Sequence, residues 1–322
     1  MGPSGFERMN ELGSQSQPFL FILDFDLLNP LVFTPIEAQE AGILYQIHNR
    51  KNFTPPPPSV SPFSFLKTPV LPVCYRDAFN LVMHHLKAGN SYLVNLTFPT
   101  RIETSLSLRD IFFRSKARYK ILLPEQFVVF SPEIFIRIEE RIISSNPMKG
   151  TIDTTVPNAR SVLLSNPKEL AEHHTIVDLI RNDLNSVAKE VRVERFRYIE
   201  EIDTNFKHLL QVSSRITGIL PPDYTSHLGD ILFKVLPAGS VTGAPKKRTI
   251  EIIHEAETYH RGYYTGVMGY FDGSDLDSGV MIRFIEETSD GKVYKSGGGI
   301  TSQSVVNEEY REMIDKVYVP FT

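Results

Sequence analysis

Apolar positions recur along this chain in two rhythms. Phe19-Leu20-Phe21-Ile22-Leu23 is a short unbroken apolar run with the length and pattern of a buried strand. Helical spacing puts Phe79, Val82, Met83 and Leu86 on one face between Tyr75 and Ala88, and Gly89-Asn90 supplies a C-cap signal. Alternation predicts strands over 91–98, 126–130 and 133–138. A helix is predicted from Pro167 to about Leu184, with Ile176, Ile180 and Leu184 at fourfold spacing, and two more over 244–257 and 308–317. Strands are predicted around 191–197, 211–217, 264–271, 279–286 and 293–296. Strand and helix blocks do not alternate regularly, which predicts an α+β fold over a doubly wound sheet. No segment repeats at a fixed period.

Residues 1–17 are polar with scattered Gly and Ser and read as a flexible leader. They lack a charged region followed by an apolar stretch, so they are not read as a signal peptide. The segment 52–72 carries Pro55 to Pro58 in a row and three more prolines, which excludes helix and central strand. The expected organisation is therefore a short N-terminal segment, 1–72, packed through its Pro-rich connection on a main domain, 73–322. Fifty residues before the prolines are too few for a large core of their own.

Composition narrows the class. Of 322 residues, 41% are hydrophobic and 22% charged, a globular mix that excludes a disordered or fibrous chain. A net charge of −4 gives no reason to expect nucleic acid or an anionic membrane as partner. No apolar run reaches the roughly 18 residues that span a bilayer. Cys74 is the single cysteine, so neither an internal disulfide nor a cysteine metal site can form, and a cytoplasmic location is expected.

Several residues could carry chemistry. Glu169 and Glu172 share one predicted helix face, and Glu309 and Glu312 another. Brought together, the two faces would offer an all-oxygen site for Mg²⁺; apart, they are ordinary solvated surfaces. Lys149 follows the β-branched run at Ile142-Ile143 and is predicted where a strand ends in a tight turn. Held away from water it could act as a nucleophile, and otherwise it is an exposed turn lysine. Gly297-Gly298-Gly299 after a strand could form an anion-binding nest or a plain hairpin tip. Gly239 to Pro245 opens a helix whose first turn carries Lys246, Lys247 and Arg248, cations that oppose the helix dipole and would welcome an anion. Arg283 is predicted in a strand with Met281 and Ile285 on its face, where a carboxylate would suit its planar fork. Glu133 starts a strand sixteen residues before Lys149, and adjacent strands would pair an acid with a nucleophile.

In series these segments resemble the chorismate-utilising enzymes, and among them component I of the aminodeoxychorismate synthases. The resemblance is carried by Pro147-Met148-Lys149-Gly150-Thr151, Glu172-His173, Arg181-Asn182-Asp183-Leu184, Gly239-Ser240-Val241-Thr242-Gly243-Ala244-Pro245-Lys246, Arg261-Gly262-Tyr263-Tyr264-Thr265-Gly266, Ile282-Arg283, Gly297-Gly298-Gly299 and Glu309-Tyr310-Arg311-Glu312. It covers roughly residues 75–318 and implies one large domain of antiparallel sheets packed together with helices outside. By resemblance Glu172 and Glu312 look like Mg²⁺ ligands, supported by Glu169 and Glu309. Arg283, Tyr264 and the amides of Gly297, Gly298 and Gly299 would bind the enolpyruvyl carboxylate of chorismate, and Gly150, Thr151, Thr242 and Lys316 also fall on site positions. Glu133 looks like the acid that protonates the departing 4-hydroxyl. Lys149 stands where anthranilate synthases usually carry alanine, which favours amination at C4 with ammonia from a glutamine amidotransferase partner, component II. Anthranilate synthase component I and a non-catalytic chorismate-binding paralogue are the alternatives. Two positions depart from the pattern: Leu93, where isochorismate and salicylate synthases use a water-activating lysine, and Gln211, where relatives often have histidine, with His208 three residues away.

Overall fold

The computed structural model describes residues 4–56, 62–165, 167–203 and 208–321. Strand β1 (Phe19–Leu23) shows why the chain forms layers. Phe19, Phe21 and Leu23 enter one apolar cluster, Leu20 and Ile22 another, and all five are fully buried. A strand apolar at every position must lie inside a sheet covered on both faces.

Among the described residues there are two nine-stranded sheets, antiparallel throughout. The first runs β11 (Met148–Asp153), β13 (His208–Ile219), β10 (Ile142–Ser145), β9 (Ile134–Glu139), β16 (Leu276–Val280), β15 (Val267–Phe271), β1 and β2 (Leu31–Phe33), with β12 (Lys189–Asp203) also on β13. The second runs β14 (Gly243–Ala244), β6 (Leu93–Thr104), β18 (Gly291–Ile300), β17 (Phe284–Thr288), β8 (Phe127–Ser131), β7 (Tyr119–Leu123), β3 (Leu44–Ile47) and β4 (Arg50–Lys51), with β5 (Phe65–Thr68) on β6. Between the sheets, Leu20, Ile22 and Met268 meet Tyr119, Ile121, Val129 and Phe284. Helices α6 (Pro167–Asn185) and α7 (Leu228–Val235) cover the outer face of the first sheet. Helices α3 (Pro72–Lys87), α8 (Lys246–Ala256) and α9 (Val306–Asp315) cover one end of the second sheet, and α4 (Leu108–Arg114) the other. Two short helices, α2 (Pro35–Glu40) and α5 (Ala159–Ser165), join them. The expected α+β architecture, antiparallel sheets packed together under outer helices, is what the chain adopts.

Four local expectations are corrected. Residues 5–14 of the supposed leader form helix α1 (Gly5–Ser14), started by a reciprocal capping box between Ser4 and Glu7. Its Met9 is fully buried, and α7 comes so close that a Cβ on Gly229 would stand 2.0 Å from the Phe6 carbonyl. The apolar spacing Phe6, Met9, Leu12 is the amphipathic signal that the surrounding polar residues masked. The single strand predicted over 279–286 is two: β16 ends at Val280 in the first sheet and β17 begins at Phe284 in the second, with Arg283 at φ +56° in the crossing. Lys149 lies within β11, not at a strand's end in a turn: β10 and β11 share one edge of β13, broken only at 146–147, and a bulge follows at Gly150, φ +72°. Gly297 to Gly299 are not a turn or nest but continue β18, opposite Thr97, Leu96 and Asn95.

One buried ion pair joins these parts. Arg261 and Glu257 side chains are each 2% exposed and meet through two hydrogen bonds, 2.6 and 2.8 Å. Arg261 also donates to the carbonyls of Val241 (2.9 Å) and Asn95 (2.6 Å) and stacks over Phe25. Glu257 accepts the amide and hydroxyl of Thr97, both at 2.8 Å. Arg261→Met should strand a buried carboxylate and cost about 3–5 kcal/mol. Urea unfolding checks it, and adding Glu257→Gln should recover part of that loss by removing the stranded charge.

A second buried cation has no carboxylate among its partners in the described residues. Lys120 Nζ donates to the carbonyls of Phe112 (2.7 Å) and Ser115 (2.9 Å) at the end of α4, and burial pushes it down to about 8. An unfolded lysine titrates near 10.5, so between pH 8 and 10.5 the unfolded chain binds the proton and the folded chain releases it. Stability therefore gains from this group as pH rises through that window. The urea midpoint of the wild type relative to Lys120→Met should rise from pH 7.5 to about 10.

Candidate active site

Where the chain crosses between the sheets, a cavity of about 220 Å³ opens. Its lining brings together Glu133, Tyr264, Arg283, Gly297, Gly298, Gly299 and Lys316, seven of the residues singled out in the sequence, with Pro147 and Met148 from the lysine motif. Ile176 brings α6 to the same wall.

The floor is main chain. β18 pairs with β17 only as far as Lys295, opposite Phe284, while β6 pairs with it up to Ile300. Its far edge is thus open along the glycines. A Cβ on Gly297 would stand 2.3 Å from the Leu96 carbonyl, so nothing larger fits between β18 and β6. A Cβ on Gly298 would fill the space facing Glu312 Oε1 and Lys316 Nζ (3.6 Å each) and Glu309 Oε2 (3.7 Å).

Arg283 enters from the crossing. Its guanidinium donates to the Lys316 carbonyl (3.1 Å) and lies over the Tyr318 ring at 4.8 Å; among the described residues no carboxylate pairs with it. The expected strand position is corrected: Arg283 lies between β16 and β17 with φ +56°. Tyr264 is 3% exposed, and burial raises its phenol above the usual range, so it stays protonated. Glu133 immediately precedes β9, where its amide reaches Ser131 Oγ and its carbonyl accepts the Val280 amide. The Ser240 hydroxyl donates to Glu133 Oε1.

The four glutamates come in two sets. On α9, Glu309 is buried and accepts from Ser304 Oγ at 2.7 Å, while Glu312 pairs with Lys316 Nζ at 2.7 Å. Lys316 Nζ also donates to the Gly297 carbonyl at 2.9 Å, so a cation already sits between glycine floor and carboxylates. On α6, Glu169 Oε2 would lie 3.3 Å from a Cβ on Gly150, and Glu172 is half-buried one turn on. Among the described residues no three His, Cys, Asp or Glu side chains stand together as a ready-made metal cluster. Glu309 and Glu312 face the space beside Gly298 and Glu169 that beside Gly150, and carboxylates are the oxygen donors that a hard cation takes together with water and substrate.

Other predicted residues lie elsewhere. Thr242 is fully buried outside the lining, its hydroxyl donating to the Ala238 carbonyl at 2.8 Å. The side chains of Lys149, Thr151 and His208 fall outside the described part; Gln211 is opposite Thr151 in β13. Leu93 is buried in β6 opposite Ala244. The cations after Pro245 need no anion: Lys246 donates to Asp183 (2.8 Å) and the Val235 carbonyl (2.9 Å), and Arg248 pairs with Glu251. Sequence reasoning missed Ser240, Asn95 and Lys295 as lining residues. Ser240 lay inside a motif read for its backbone. Lys295 looks like any strand lysine, yet it is 3% exposed, pairing Glu286 at 2.8 Å and donating to the Arg261 carbonyl at 2.9 Å.

Among the described residues, no helix is long and apolar enough to cross a membrane. A protein from Pasteurella multocida named uncharacterized PabA-like protein is 46% identical over 317 residues, 98% of this chain and 97% of that one. Aminodeoxychorismate synthase component 1 of Bacillus subtilis is 33% identical over 259 residues, 76% of this chain and 54% of that one. The menaquinone-specific isochorismate synthase of Escherichia coli superposes with a TM-score of 0.72 at 16% identity, covering 97% of this chain and 79% of that one, which speaks to the fold. The sequence pattern of the family described as chorismate binding enzyme matches residues 33–321, and the chain belongs to that family.

Proposed function

We propose that this chain is the component I of an aminodeoxychorismate synthase, converting chorismate and ammonia to 4-amino-4-deoxychorismate, a precursor of p-aminobenzoate and folate. The observation that supports the reading is the convergence of Glu133, Tyr264, Arg283, the glycine edge of β18 and Lys316 on one cavity, with Lys149 one residue from its lining. Arg283, with no carboxylate partner among the described residues, binds the enolpyruvyl carboxylate together with glycine amides on the open edge of β18. Glu133 gives its proton to the 4-hydroxyl, which leaves as water while the Lys149 amine adds at C2. Ammonia then adds at C4 and the C2–N bond to lysine breaks, so nitrogen ends at C4. Mg²⁺, held by Glu172 and Glu312 with Glu169 and Glu309 in support, supplies charge neutralisation at the ring carboxylate when bound. A glutamine amidotransferase, component II, delivers the ammonia.

Purified protein with chorismate, Mg²⁺ and ammonium salt should yield aminodeoxychorismate by mass spectrometry. Anthranilate would mark the chain as an anthranilate synthase, isochorismate would mean water is the nucleophile, and no product would favour a binding paralogue. Lys149→Ala should suppress C4 amination about a hundredfold or more while changing the KM for chorismate little, since none of the carboxylate-binding groups is lost. Turnover at the wild-type rate would refute the covalent route. Glu172→Ala and Glu312→Ala should each abolish turnover without moving the thermal midpoint by more than a few degrees. Wild-type activity of either at limiting Mg²⁺ would refute the two-helix metal site.

A further inference from the structure

Glu133 and Ser240 stand where two cavities meet. The larger is the site above; the smaller, about 20 Å³, is room for one water molecule, and it is lined by the same two residues with Ser145 and Asp183. Ser240 sits in the single 3₁₀ turn Gly239–Val241, and that turn is held from both sides. The Val241 carbonyl accepts from Asn95 Nδ2 and from Arg261 Nη1, each at 2.9 Å, and Gly239 is pressed against Leu179, which a Cβ there would meet at 2.6 Å. A turn pinned in this way presents the serine hydroxyl in one place, where it donates to Glu133 Oε1.

We infer that Ser240 is a positioning residue for the acid, holding the Glu133 carboxyl in one orientation through its hydrogen bond to Oε1. The inference rests on Glu133 being the acid proposed above. The serine's second effect has a definite sign. A donor to a carboxyl oxygen stabilises the ionised form more than the acid, so its removal makes the proton harder to lose.

The test is the pH dependence of kcat for ammonium-dependent chorismate consumption in Ser240→Ala, Ser240→Thr and Glu133→Gln, with circular dichroism melting to check folding. Ser240→Ala should lower kcat about tenfold, leave the KM for chorismate within about twofold, and move the alkaline limb to higher pH. Ser240→Thr, which keeps the hydroxyl, should restore the limb. Loss of kcat with an unmoved limb, or a wild-type profile, would overturn the role of Ser240 while Glu133→Gln stays inactive. Wild-type turnover by Glu133→Gln would instead remove Glu133 as the acid, and the inference would fall with it.

Discussion

The pair formed by Arg261 and Glu257 ties together the walls of the cavity. One guanidinium holds the carbonyl of Asn95 in β6 and that of Val241 beside Ser240, while its carboxylate partner holds the amide of Thr97 two residues along β6. Phe25, two residues beyond β1 of the other sheet, lies 4.5 Å beneath the guanidinium. Desolvating two charges is expensive, and two hydrogen bonds between them with further bonds to fixed carbonyls offset that cost only if every group is in register. The same register aligns the turn carrying Ser240 with the strand that lines the opposite wall. Burial of an ion pair here serves geometry more than net stability.

Charge around the cavity has a matching logic. The chain is acidic overall, at −4, yet Arg283, Lys295 and Lys316 all border this one space. Lys295 is answered by Glu286 and Lys316 by Glu312. Arg283 meets a carbonyl and tyrosines but no carboxylate among the described residues, so its charge is left for an anionic ligand. Placing that cation at the crossing between sheets leaves its side chain on the lining of the cavity.

The periodic elements were legible in the sequence because one face decides them. Helix α3 and the apolar row Ile176, Ile180, Leu184 of α6 follow from spacing alone, and β1 from its unbroken run. What escaped depended on partners distant in sequence. The α1 face makes sense only against α7, and Gly13 and Gly229 look like breakers until the helices touch. The run 279–286 is uniformly strand-like in composition; that it changes sheets at Met281–Arg283 is decided by which neighbours β9 and β8 offer. The glycine triplet carries a turn's composition, and pairing with β6 across nine residues overrides it. Site residues were legible as motifs, but their roles were not: Thr242 and Lys246 are taken up by internal hydrogen bonds, and Ser240 is known as a lining residue only once Glu133 is beside it.

The bare stretch of β18 has an evolutionary consequence. Three consecutive residues without side chains mean that a ligand lying there touches peptide groups, whose chemistry no point substitution can alter without also filling the space. At Gly297 even a methyl group collides with the neighbouring strand. Divergence within such a fold is therefore channelled away from the floor and onto the surrounding walls, at positions such as Asn95 and Ser240, where a side chain can be exchanged while the strand beneath keeps its shape. A common foundation with replaceable fittings lets one fold acquire different reactions without rebuilding how it holds the molecule they share.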